Sequence, residues 1–198
     1  MKNKIKITKP NTISDSRRLN AIKKPSNIVG IGASAGGLEA LEDFFIHVQT
    51  PCKMAFVVIQ HLDPSHKGIM AELLQRITKM TVKEARNNMK VEQNCVYVIP
   101  PNKDLSILHG SLFLFEPVLS RGLRLPIDFF FRALASDQRE HAIAVILSGM
   151  GSDGTLGLHA IKQNAGLSLA QSPKFAKFSS MPQNAINAEL IDIVAPAE

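Results

Sequence analysis

A serine stands between two glycines in Gly32-Ala33-Ser34-Ala35-Gly36, within the stretch Gly30 to Gly37 that directly follows the apolar pair Ile28-Val29. The spacing is G-x-S-x-G, and the flanks read as a strand breaking into a tight turn and then a helix. Small neighbours permit a sharp backbone turn that lifts a hydroxyl clear of a sheet. The helix that follows offers unpaired N–H groups to a developing oxyanion. A serine hydroxyl attacks only when a base takes its proton, and the base needs an acid to orient it. His61 follows Val57-Val58-Ile59-Gln60, and Asp153 follows the apolar run Ala142 to Leu147. Ser34, His61 and Asp153 are thus the candidate nucleophile, base and orienting acid. A second chemistry fits the same glycines. Gly30, Gly32 and Ala35 match G-x-G-x-x-G/A ahead of a helix, the pattern of a dinucleotide cradle. That cradle wants an acid ending the second strand, where this chain has Gln60-His61. Asp153 also suits a helix N-cap, and Asp128 and Asp137 read as solvent-facing or capping groups.

The elements that would position these residues alternate. Strands are predicted at 27–31, 54–59, 82–85, 95–99, 142–147, 167–170 and 191–194. Helices are predicted at 38–48, 67–77, 126–137, 155–163 and 185–189. Phe129, Phe130 and Leu134 are expected to face inward from the third helix. The segments 105–108 and 111–115 read as a hairpin turning at His109-Gly110, an antiparallel excursion at the sheet edge. Continuous apolar runs such as Met54–Ile59 mark strands buried on both faces. The expected architecture is α/β, a doubly wound, mostly parallel sheet with helices on both faces and one hairpin. In such sheets sites form beyond the carboxyl ends of the strands. The loops holding Ser34, His61 and Asp153 all leave strands at that end. Strands about 4.8 Å apart bring such loops within reach of one another.

Composition narrows the function classes. The chain has 198 residues and a net charge of +6. Eight of its 23 Lys/Arg lie within the first 25 residues, against Asp15 alone, so the remainder carries a charge of −1. Residues 1–26 read as a basic, polar, disordered tail, and 27–198 as one catalytic domain. The tail would dock electrostatically, if at all. Having no aromatic residue, it offers no stacking platform for nucleic acid. Two cysteines suit a reducing cytoplasm, and the absence of an apolar leader or long apolar run argues against secretion or membrane insertion. There is no H-E-x-x-H or C-x-x-C, so no metal site is expected.

Three loops together carry a resemblance: Gly32 to Gly37, Gln60-His61, and Ser148-Gly149-Met150-Gly151-Ser152-Asp153-Gly154. Tyr97-Val98-Ile99-Pro100-Pro101, the Pro126–Phe131 segment and Met181-Pro182 add to it. The chain resembles the chemotaxis protein-glutamate methylesterases, the CheB catalytic domain, over about residues 27–195. The resemblance implies a cytoplasmic hydrolase that removes methyl groups from glutamate γ-methyl esters on chemoreceptor helices, releases methanol, and can deamidate receptor glutamines. It makes Ser34 the nucleophile, His61 the base and Asp153 the orienting carboxylate. Backbone N–H groups of Ala35 and Met150 become the oxyanion donors, with no cofactor. The family often has threonine where this chain has Ala35, which keeps the backbone donor and loses a hydroxyl. Full-length members carry a phosphoacceptor receiver ahead of the esterase, and only 26 residues precede the first strand here. The wording of 121–126 is closer to esterase modules fused to a methyltransferase, so a methyltransferase or sensor module in trans is an expected partner. Two alternatives remain open: a catalytically silent receptor- or regulator-docking module, and a nucleotide-binding domain.

Overall fold

The computed structural model describes residues 23–60, 69–119 and 123–198. Its elements follow in chain order. First come β1 (Ile28–Ala33), α1 (Gly37–His47), β2 (Ala55–Gln60), α2 (Ile69–Ile77), β3 (Thr81–Glu84), β4 (Met89–Lys90) and β5 (Cys95–Val98). Then come β6 (Asp104–Leu108), β7 (Ser111–Phe115), α3 (Pro126–Gln138), β8 (Ala142–Ile146), α4 (Thr155–Gln163), β9 (Leu167–Gln171), α5 (Ser180–Asn187) and β10 (Ile193–Ala195). Seven strands form one sheet in the order β10-β9-β8-β1-β2-β5-β3, with every pairing parallel.

The central strand shows why this sequence makes this sheet. Alternate β1 residues point to opposite faces. Val29, Ile31 and Ala33 join the core beneath α1 and α2, with Leu41, Phe45, Met70 and Leu74. Ile28 faces the other core, with Phe130, Phe131, Leu134, Leu158 and Met181. Gly30 and Gly32 lie on that second face, and α3 presses against both. A Cβ on Gly30 would meet Leu134 Cδ2 at 2.9 Å, and one on Gly32 would meet Ile127 Cγ2 at 2.5 Å. These glycines exist for close helix–strand contact.

The doubly wound parallel sheet agrees with the sequence reading, and four local expectations are corrected. The hairpin does not extend the main sheet. It pairs with the unforeseen short strand β4 as a separate antiparallel sheet, β4-β7-β6, packed against α3. A two-residue strand carries no periodicity, so its sequence gave no signal. Helix α5 begins at Ser180, five residues before the expected start, because Met181 and Pro182 lie in its first turn and are buried. Phe129 points outward at 43% exposure, while Phe131 takes the buried place beside Phe130 and Leu134. Asp128 is buried, at 3% exposure, so it is a capping group and not a solvent-facing one. The predicted start of α2 at 67 lies outside the described residues.

Candidate active site

The sheet reverses its winding at β1, which has β2 on one side and β8 on the other. Loops leaving the carboxyl ends of β1 and β8 therefore meet over one crevice. Ser34 is the first residue past β1. Its N–H donates to Ser148 O at 3.0 Å, and its carbonyl accepts from Gly37 N at 2.9 Å. Gly36 takes φ +65° to enter α1, and a Cβ there would crowd Ser148 Oγ at 2.9 Å. Glycine is required on both counts.

The loop after β8 closes on Ser34 from the other side. A Cβ on Gly149 would stand 3.0 Å from Ser34 Cβ and 2.4 Å from Met181 Cε. That loop is held by the segment leading into α5. Gly149 N donates to Phe178 O at 2.9 Å, Met181 N to Gly149 O at 3.0 Å, and Asn184 Nδ2 to Gly151 O at 2.8 Å. Gly151 N donates to Ser180 Oγ at 3.2 Å. Met150 sits between two anchored glycines with its side chain open to solvent. Among the described residues no group accepts the N–H of Ala35 or of Met150. The Ser34 N–H is already committed to Ser148 O, so it is not a third donor to an oxyanion.

Asp153 is buried at 4% exposure, and it does not cap its own helix. The N-cap of α4 is Gly154. The carboxylate reaches instead to the start of α3, accepting from Ile127 N at 3.1 Å and Asp128 N at 3.0 Å. These are two of the orphan donors of a helix opened by Pro126. Asp128 returns the bond, its Oδ1 accepting from Gly157 N at 2.6 Å in the first turn of α4. The two helix N-termini thus exchange carboxylates. Burial pushes the Asp153 carboxyl up to about 6, and the Asp128 carboxylate adds to the rise. The N–H groups of Asp128, Ile127 and Gly154 oppose it. Burial likewise raises Asp128, against its bond from Gly157 and the charge of Arg132.

Of the predicted set, Ser34, Ala35, Met150 and Asp153 lie on loops at one end of the sheet. His61 follows the last residue of β2 in sequence and lies outside the described residues. Sequence reasoning quoted Ser148 within its motif without giving it a role; it proves to be the residue through which the Ser34 turn is tied down. The N–H groups of Ile127 and Asp128 were missed altogether, since they belong to a helix some 25 positions away from Asp153. Among the described residues no cluster of His, Cys, Asp or Glu could hold a metal ion. No described helix is long and apolar enough to cross a membrane.

The family model for the CheB methylesterase matches residues 29–198. The chain belongs to the CheB methylesterase family. The CheB catalytic domain of Thermotoga maritima superposes with a TM-score of 0.79 at 31% identity, covering 86% of this chain and 93% of that one. A protein of Leptospira interrogans, named a putative protein-glutamate methylesterase/protein-glutamine glutaminase, is 33% identical over 169 residues. That match spans 85% of this chain and 88% of its relative. A protein-glutamate methylesterase/protein-glutamine glutaminase of the group 3 operon of Rhizobium meliloti is 32% identical over 177 residues, and this chain spans 50% of its length.

Proposed function

We propose that this domain is a serine hydrolase that removes methyl groups from glutamate γ-methyl esters on the cytoplasmic helices of chemoreceptors. Ser34 Oγ attacks the ester carbonyl carbon while His61 takes its proton. The resulting oxyanion is held by the N–H groups of Ala35 and Met150. The tetrahedral intermediate collapses, His61 returns the proton to the methoxy oxygen, and methanol leaves. Water, deprotonated by His61, attacks the acyl-enzyme, and glutamate and free Ser34 are restored. Asp153 orients His61 and offsets the positive charge that it gains. The same steps with ammonia as leaving group convert a receptor glutamine to glutamate. No step calls for a cofactor. The reaction belongs to the cytoplasm, where the receptor helices lie, and a methyltransferase that adds the methyl group is the natural counterpart.

One observation carries this reading. Two backbone N–H groups with no described acceptor, from separate loops, flank a serine on a tight strand-to-helix turn in a chain of the CheB family. The test is methanol release from a methylated receptor fragment by the native chain and by Ser34→Ala. The variant should keep the fold and lose activity by at least about 10³-fold. Retained release would end the serine mechanism. A native chain that releases nothing and is not labelled at Ser34 by a serine-directed phosphonate would be a docking module instead.

A further inference from the structure

The residue that ties the crevice together is one that substrate cannot touch. Ser148 is fully buried at the end of β8. Its carbonyl accepts the Ser34 N–H at 3.0 Å. Its Oγ donates to Ala35 O at 2.9 Å and accepts from Phe178 N at 3.0 Å. Its own N–H donates to Gln171 Oε1 at 2.8 Å, a side chain itself 4% exposed at the end of β9. Four segments therefore converge on a single serine: the turn after β1, the end of β8, the end of β9 and the approach to α5.

Hydroxyl position matters because of which carbonyl it holds. The Ala35–Gly36 peptide, whose oxygen Ser148 Oγ grips, is the link between Ala35 and the left-handed residue Gly36. Holding that peptide, together with the Gly37 N–H bond to Ser34 O at 2.9 Å, restrains the preceding one, which carries the Ala35 N–H. On its other side the same Oγ holds the Phe178 N–H, and Phe178 O in turn accepts from Gly149 N at 2.9 Å, one residue before Met150. One buried hydroxyl is thereby bonded directly to the segment that presents the Ala35 N–H and, through Phe178, is linked to the loop that presents the Met150 N–H.

We infer that Ser148 is a positioning residue for catalysis, its hydroxyl setting the spacing between the Ala35 and Met150 N–H groups around Ser34. This rests on the esterase reading above. A displacement of about 1 Å between donors and reacting centre costs up to about 100-fold in rate. The bond is felt when negative charge develops on the carbonyl oxygen, so the loss belongs in kcat and not in KM.

The experiment uses the full 198-residue chain and a helical receptor peptide bearing a glutamate γ-methyl ester. Native, Ser34→Ala, Ser148→Ala, Ser148→Cys and Ser148→Thr are assayed well below their unfolding midpoints. Ser148→Ala should lose about 10- to 100-fold in kcat with KM within about twofold, and phosphonate labelling of Ser34 should slow in parallel. Ser148→Cys, which keeps the bulk but weakens both bonds, should lose less in the same parameter, and Ser148→Thr should recover most of the rate. If either folded variant, Ala or Cys, keeps native kcat, or loses only in KM, the inference is overturned. So is it if the loss only follows the folded fraction. Ser34→Ala separates the two layers: if it stays active the esterase reading fails, and if it is dead while Ser148→Ala keeps native kcat, only the role of Ser148 fails.

Discussion

Asp153 is an acid held where its charge is costly and useful at once. Burial raises its carboxyl to about 6, while the α3 N–H groups pull the other way. The folded value lies above the ordinary carboxylate value of about 4. Asp153 therefore favours folding most at pH below about 4, and that contribution fades as pH rises through about 6. Catalysis runs opposite to stability, because protonated Asp153 cannot offset an imidazolium. The expected kcat/KM profile falls on the acid side with an apparent limb near pH 6, measured by methanol release. Asp128→Asn, which removes the neighbouring negative charge and keeps an acceptor for Gly157 N, should move that limb to lower pH. A limb that stays put would show that Asp128 does not act on Asp153 electrostatically. Asp153→Asn should lower kcat by about 10³- to 10⁴-fold, since the orienting acceptor is lost. Were Asp153 only a helix cap, the same variant would cost about 1 kcal/mol of stability and spare activity.

Helix α3 links the fold to the chemistry. Its buried face, Ile127, Phe130, Phe131 and Leu134, lies on β1 through Gly30 and Gly32, and its first turn supplies the N–H groups that hold Asp153. A methyl group at position 32 would overlap Ile127, itself a member of that first turn. Gly32→Ala is therefore expected to destabilise the domain by about 1–3 kcal/mol, read from urea unfolding. It should also lower kcat by displacing the helix start that carries Asp153. A Gly32→Ala protein with native stability would contradict the close contact. The sequence disclosed α3 and its proline start, because apolar periodicity and Pro126 are local signals. It misplaced Phe129, because which of the two phenylalanines flanking Phe130 turns inward is set by the helix's rotation against β1. It missed β4 and the true start of α5 for the same reason: partners elsewhere in the chain create them.

At the scale of the whole molecule, two cores sit on opposite faces of one sheet. Leu41 is fully buried beneath α1, and Leu134 is fully buried beneath α3. Leu41→Ala and Leu134→Ala should each cost about 2–5 kcal/mol. With the sheet between them they share no partner, so the double variant should equal their sum within about 0.5 kcal/mol by urea unfolding. A large departure would mean that β1 transmits strain across the sheet. Function is likewise distributed, since the crevice is assembled from loops after β1 and β8 and from the first turn of α3. Thermal loss of activity should accordingly coincide with loss of the sheet signal in circular dichroism.

The sequence alone determined the glycine turn with Ser34 at its tip, the alternation of strand and helix, and the expectation that three loops share one sheet edge. These are short-range patterns: a turn of small residues, a period of two, a period of 3.6. Family resemblance added the roles of Ser34, His61 and Asp153. Only the tertiary structure decided that Asp153 caps α3 and not α4, that Gly30 and Gly32 make room for a helix, and that Ser148 joins four segments. The bonds responsible span 23 to 114 positions of sequence. No local pattern encodes such pairings, because their partners are backbone groups that every residue carries, and only packing selects which of them meet.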